Sequence, residues 1–402
     1  MIFKKPAYLR NFYLSYLLLM ALPALPFLVN AKIQWVLHVM LIFTVIFESK
    51  KVQISKFGKW IALLIIPTIW SFYNSLDAEY YNIVQSLFYL LTPYLMIILG
   101  IQLGGLLKNE NDIFKYIIYH GSVGSALFLG FGLFTVGTAE FKDIYMLRST
   151  MLWGSITNVI AIILLLFSHK NNQPIVEKNG VRIILLLLNI LALVLTASRT
   201  YYVIFFIFLL LVLFKYEKKI FIITCISVVF SFISIMSIET DNLFIVKIQN
   251  AVSEVSNTRE FSGYDDVGSY YRAYETQQAM RTFYKGDELE LIIGHGLQKL
   301  VDLNLYVDLA GTERRFIPVL HNGYAYLLLR AGYLGVVLYC LFFIKSLLVP
   351  FSSARSGLFQ FIYIGSILSL LISNYVIGSF FSIEMVSAWV IIGVYFIHKS
   401  KT

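Results

Sequence analysis

The residues of this chain that could do chemistry are few, and they cluster late in the sequence. The stretch LHNGYAYLLLRAGYLG at 320–335 sets His321 and Asn322 nine residues ahead of Gly332, with Gly335 after two more. A histidine ionises near neutral pH, which suits a general base that takes a proton from an attacking hydroxyl. A histidine here could equally do no more than cap a helix start. Read as one helix at about 100° per residue, His321, Gly332 and Gly335 fall within roughly 60° of one another. The face below the imidazole is then bare, open to another helix or to a ligand. Arg330 lies on the opposite face of that helix and ~13 Å deeper. At such depth an arginine needs a partner or a wet cavity, and Glu384 and a bound substrate are both candidates.

Two further arginines could grip an anion. Arg199 sits in TASRTYY (196–202), a turn between two apolar stretches. Its planar fork could hold a phosphate or diphosphate, or it could merely reach headgroups. Arg272 lies in SYYRAYETQQAMRTFY (269–284), which reads as a helix with Glu275, Thr276, Ala279 and Phe283 on the same face. It could be a second diphosphate or sugar ligand, or the surface partner of Glu275. Arg314 and Arg315, shortly before His321, read as loop or substrate contacts, as does Asn322. Several absences narrow the chemistry. There is no Walker-type glycine loop and no histidine pair at metal-ligand spacing. No carboxylate stands in the first loop, around 30–32. Asp265 and Asp266 read as a solvated loop pair. No metal and no cofactor is expected.

These residues need elements to hold them. Of the 402 residues 58% are hydrophobic and only 14% charged, against about 25% in soluble domains. Continuous apolar runs of about 17–25 residues recur, so the chain reads as an all-α membrane protein. We count about twelve transmembrane helices, roughly 11–29, 33–48, 60–76, 83–106, 113–135, 151–168, 183–198, 200–214, 220–238, 322–344, 358–379 and 383–398. The first is expected to be an uncleaved span, despite the signal-like Lys4, Lys5 and Arg10. Basic residues divide nineteen to four between alternate sides, which predicts both termini in the cytoplasm. The segment 239–320 carries 13 acidic and 8 basic residues, net −5 within a chain of +9. The basic excess is therefore a topology signal, not a nucleic-acid footprint. The whole chain, 1–402, reads as a single polytopic domain with 239–320 as one large, partly helical periplasmic loop. In that loop Gly294-His295-Gly296 marks a tight turn. Cys225 and Cys340 fall in expected spans and imply neither a disulfide framework nor a metal site.

Taken together, four features resemble the bacterial O-antigen ligase and O-antigen polymerase family, inner-membrane transferases of lipid-linked glycans. They are twelve spans with both ends inside, TASRT at a short outer turn, a loop with Arg272 ahead of GHG, and LHN-x9-G-x-x-G after that loop. One departure is that the family commonly has an acidic residue shortly before the first glycine, and here Arg330 lies in that neighbourhood. The resemblance implies a type C glycosyltransferase-like fold in the inner membrane with its active site facing the periplasm. It implies a metal-independent, inverting transfer from an undecaprenyl-diphosphate-linked glycan donor to a glycan acceptor. His321 would deprotonate the acceptor, and Arg199 and Arg272 would balance the leaving diphosphate. A polymerase of repeat units is expected, with a ligase to lipid A-core as the alternative and a lipid-linked glycan transporter as a more distant one. A chain-length regulator and a flippase of the same pathway are expected partners, alongside the lipid bilayer.

Overall fold

In a computed structural model the described residues are 13–28, 31–75, 80–107, 109–140, 155–167, 175–196, 198–238, 270–309, 312–350 and 357–401, with isolated positions 246, 249, 261 and 267. Asp265 and Asp266, the N-terminal Lys4, Lys5 and Arg10, and the loop cations Lys142 and Arg148 lie outside them. The helices are α1 (Tyr13–Ala21), α2 (Leu25–Leu28), α3 (Ala31–Ser49), α4 (Ala62–Tyr73), α5 (Tyr80–Leu106), α6 (Glu110–Glu140) and α7 (Ile156–Phe167). They continue with α8 (Asn179–Thr196), α9 (Arg199–Tyr216) and α10 (Lys218–Ser237). A compact segment follows: α11 (Tyr271–Tyr284), α12 (Glu288–Ile293) and an antiparallel hairpin of β1 (Val301–Leu309) and β2 (Thr312–Ile317). The chain ends with α13 (Gly323–Leu348), α14 (Leu358–Ile377) and α15 (Val386–Lys401).

A helix lies over each expected apolar stretch. Among the described residues, seven are long and apolar enough to cross a membrane, and four shorter apolar helices accompany them. The protein is thus a multi-pass, all-α membrane protein. The stretches expected at 183–198 and 200–214 are longer than the apolar run alone indicates. α8 and α9 each have 18 residues, because polar ends such as Asn179 and Tyr216 join the helix. α10 buries none of its residues in the chain, so its apolar surface is left for lipid.

Without a hydrophobic drive between helices in lipid, close packing must come from small residues and buried polar contacts. The tightest packing is α5 against α15. A Cβ on Gly100 would fall 2.1 Å from the Val390 carbonyl oxygen, and one on Gly393 would fall 2.1 Å from that of Ile97. A polar knot ties α6, α7 and α8. Asn158 Nδ2 donates to Ser125 Oγ at 2.7 Å and to Asn189 Oδ1 at 2.9 Å, and Asn189 Nδ2 donates to Ser122 Oγ at 2.8 Å.

The reading of α13 as one uninterrupted helix is corrected. Gly332 has φ 64 and ψ −169, which breaks α13 into two arms. The ring of Phe380 lies 5.4 Å from that of Tyr324 and 5.6 Å from that of Tyr339. Those tyrosines are fifteen residues apart, or ~22 Å along an unbroken helix. One phenylalanine ring touches both because the arms fold toward each other around it. The face assigned to His321, Gly332 and Gly335 together assumed a straight helix, and it does not survive the bend. The hairpin was also not anticipated, although the strand Val301-Asp302-Leu303-Asn304-Leu305 alternates with period two.

Candidate active site

His321 is held by its neighbours in sequence and by α11. Asn322 is the N-cap of α13; its side chain accepts from the backbone N–H of Tyr324 at 3.0 Å and of Ala325 at 3.2 Å. Such a cap contributes about 1 kcal/mol and fixes the chain entry just where His321 stands. α11 buries Tyr274, Glu275, Gln278, Ala279 and Phe283 along one face. That face packs on the hairpin, where the Tyr274 hydroxyl donates to the Leu303 carbonyl and Asn304 Nδ2 donates to Gln278 Oε1.

On the same face Glu275 meets His321. His321 Nδ1 lies 2.8 Å from Glu275 Oε2, and the His321 backbone N–H donates to Oε1 at 3.1 Å. The carboxylate side chain is 1% exposed and the imidazole 47%. The buried partner thus holds one ring nitrogen while about half of the imidazole stays exposed. Tyr271, one turn earlier on α11, sets its ring edge-on to the imidazole at 5.9 Å. Burial first, and the Glu275 charge second, push the Tyr271 phenol above its usual range, so it stays neutral. Glu275 is therefore the partner of His321 and not, as one reading of α11 had it, a surface mate of Arg272. Its signal lay in the spacing: Tyr274, Gln278 and the apolar residues of α11 mark the inward face, and Glu275 falls on it.

Arg272 is half-buried on α11, beside Tyr271 and one turn from Glu275. Arg199 is half-buried at the first position of α9 and is reached through another loop. Gly378 ends α14 in the left-handed conformation, φ 56 and ψ 42. A Cβ there would lie 3.3 Å from the carbonyls of His321 and Leu320. Six residues on, the Glu384 carboxylate accepts the Tyr201 hydroxyl at 2.9 Å, and Tyr201 is two residues after Arg199. His321 and the helix of Arg272 are thus in direct contact, and the 378–384 loop links them to the start of α9. Glu384 also borders a mainly apolar cavity of about 430 Å³ that runs between α3, α5, α6 and α15.

The other candidates fall differently. Arg330 is wholly buried, and Glu384 is not its mate. Its Nη1 donates to the carbonyls of Gly296, Leu297 and Lys299 at 3.1, 2.7 and 2.7 Å, and its Nη2 donates to Pro318. Its guanidinium also lies 5.1 Å from the centre of the Tyr326 ring. Arg330 is spent on fastening the segments before and after the hairpin to α13. The glycines that follow do not leave open space for a ligand. A Cβ on Gly332 would lie 2.3 Å from the Ile292 carbonyl oxygen and 2.5 Å from the Gly294 nitrogen. One on Gly335 would meet Ala331 at 2.4 Å and Pro67 at 3.6 Å. Protein, rather than substrate, occupies the room these glycines make. Arg315 grips Asp302 with both prongs, Nε to Oδ1 at 2.7 Å and Nη2 to Oδ2 at 2.8 Å, and those bonds hold the Asp302 carboxyl below the usual range. Arg314 is exposed on β2.

The broken α13 leaves backbone groups that a membrane protein must satisfy. The Leu329 carbonyl accepts the His295 N–H at 2.9 Å, and the Arg330 carbonyl accepts the Ser71 hydroxyl at 2.8 Å. The GHG turn, with φ 87 at Gly294 and 80 at Gly296, thus plugs the break.

Architecture and site define a polytopic helical membrane protein with a carboxylate-bound histidine where a folded loop meets the bundle. Residues 184–340 match the family model described as O-antigen ligase. That stretch runs from α8 into the second arm of α13 and contains Arg199, Arg272, Glu275, His321, Asn322, Gly332 and Gly335. The match supports, over that stretch, the resemblance read from the motifs. The match supports ligase- or polymerase-type chemistry on lipid-linked glycans. No curated protein matches the chain.

Proposed function

We propose that this protein is a polymerase that joins undecaprenyl-diphosphate-linked repeat units of O-antigen, or of a related surface polysaccharide, at the periplasmic face of the inner membrane. The observation that carries this reading is the exposed imidazole of His321, bound at Nδ1 and contacting the helix of Arg272. The unbound Nε2 takes the proton of an acceptor sugar hydroxyl. That oxygen bonds to the anomeric carbon of the donor as the bond from this carbon to the diphosphate breaks. One displacement inverts the configuration. Arg199 and Arg272 balance the charge gathering on the diphosphate, which is positional and electrostatic catalysis without a metal. The cavity bordered by Glu384 supports this reading, since its apolar lining suits a polyprenyl chain. A polymerase must also hold sugars on both sides of the new bond. The exposed Tyr306 and Phe316 on the hairpin offer stacking surfaces for them.

The family model's description favours a second reading, the ligase that moves finished glycan to lipid A-core. A deletion strain separates the two. Lipopolysaccharide capped by a single repeat identifies the polymerase; uncapped core with accumulated lipid-linked polymer identifies the ligase. For either enzyme, purified protein in detergent should transfer glycan without a membrane gradient and in the presence of chelator, and His321→Ala should make no product. Movement of intact lipid-linked glycan with no transfer would make the chain a transporter, and wild-type product from His321→Ala would remove the base.

A further inference from the structure

We infer that Glu275 is the positioning residue of the site, fixing His321 in the tautomer whose Nε2 carries the lone pair. Its catalytic consequence rests on the transfer reading above; its effect on the ring does not. A carboxylate that is 1% exposed is costly unless its oxygens are matched, and here both are matched to one residue. Oε1 takes the backbone N–H of His321 and Oε2 faces Nδ1. A carboxylate only accepts, so the hydrogen between Nδ1 and Oε2 belongs to the imidazole. With Nδ1 carrying that hydrogen, a neutral ring keeps its lone pair on Nε2. Holding the main chain and the ring by one group also fixes the ring plane. The edge of Tyr271 closes one side of it, at an interplanar angle of 90°. When Nε2 takes the acceptor's proton, the carboxylate already faces the new positive charge. The arrangement is a nucleophile-activating base oriented by a third group, with the substrate hydroxyl in the nucleophile's place.

The alternative is that Glu275 merely fastens the 320–322 segment to α11. The two roles separate on the ring. Histidine-selectively ¹⁵N-labelled protein in detergent, with His321 assigned by its loss in His321→Gln, reports the tautomer directly. Wild type should show protonated Nδ1 and unprotonated Nε2. In Glu275→Gln, whose amide can also donate, that preference should be lost or reversed. The same variant should lower kcat by about 100-fold or more with KM little changed. Glu275→Asp retains a charged acceptor but withdraws it by about one carbon–carbon bond, ~1.5 Å. It should keep the tautomer and recover part of kcat, and it guards against a glutamine variant that fails to fold. An unchanged tautomer in Glu275→Gln, or kcat within a few-fold of wild type, overturns the inference. If wild-type protein transfers no glycan, the transfer reading falls and the ring measurement alone decides the role of Glu275.

Discussion

Replacing Gly332 by alanine tests whether the elbow of α13 is a device of this fold. The residue sits at φ 64 and ψ −169, a region essentially reserved for glycine, and forcing an alanine there costs about 1–3 kcal/mol. Space adds a second term. The new Cβ would lie 2.3 Å from the Ile292 carbonyl oxygen, 2.4 Å from its carbon and 2.5 Å from the Gly294 nitrogen. All three are backbone atoms, so no rotamer change relieves the overlap. Nor can the GHG turn move off freely: the Gly294 N–H donates to the Glu290 carbonyl at 2.8 Å and the His295 N–H to Leu329 at 2.9 Å. Overpacking adds about 1–3 kcal/mol more. The sum, about 2–6 kcal/mol, is a large part of a typical total stability of about 5–15 kcal/mol. Thermal unfolding in detergent should show a midpoint several degrees lower, and glycan transfer should fall with it. Gly130→Ala in α6 is the control, because nothing lies within 4 Å of a Cβ there. If Gly332→Ala melts and works like Gly130→Ala, the elbow is not required and the account of α13 is wrong.

Arg330→Leu should destabilise by at least about 3 kcal/mol, since four carbonyls lose a charged donor and buried unsatisfied groups cost about 1–3 kcal/mol each. A variant that keeps its melting temperature but loses substrate affinity would instead return Arg330 to the binding site. Arg199→Lys should lose most transfer activity, because an ammonium lacks the planar fork; full activity would favour an arginine that only anchors to headgroups. Arg315 depresses the Asp302 carboxyl, so their pair is fully present above the unfolded value of about 3.9 and fades as pH falls through the lower folded value. Protection factors for amide exchange over 301–317, corrected for the intrinsic pH dependence, should therefore be alike between pH 5 and 8 and fall only on strong acidification. A protection factor already reduced at pH 5 would show that another group holds the hairpin.

Much of this is legible in the sequence, and what is not depends on contacts between segments far apart in the chain. Apolar runs located the helices because lipid leaves the backbone few alternatives. The polar interval after α10 betrayed its helix at 271–284 and its GHG turn through composition alone. His321 was singled out by residue type, but its partner was not. Glu275 lies 46 residues away, and although the pattern of α11 puts it on the inward face, nothing in the sequence says that His321 is what that face meets. The glycines misled in a more instructive way. Gly332 and Gly335 were read as bare surface on a continuous helix, whereas positive φ at Gly332 ends the regular phase on which that reading depended. Arg330 is different: its partners are backbone carbonyls of the preceding loop, which no side-chain pattern marks. Gly100, Gly104 and Gly393, which permit the closest packing of the bundle, drew no attention, since small residues in apolar runs signal contact only once the facing helix is known.

The placement of His321 follows from three supports that do not share residues. The N-cap of Asn322 fixes the backbone that follows it, and Gly378 brings α14 against the His321 carbonyl. Glu275 holds the ring and the amide from the opposite chain segment. Each support depends on a deeper one. α11 is held by the hairpin, the hairpin's flanks by Arg330, and Arg330 by an elbow that exists because Gly332 admits the GHG turn. A base must stand within hydrogen-bond reach of its proton, and a misplacement of 1 Å can cost about 100-fold in rate. A loop resting on the bundle through one contact would allow that much drift. Folding the loop into the break of α13 removes it, which is why a glycine and an arginine that touch no substrate belong to the same construction as the histidine.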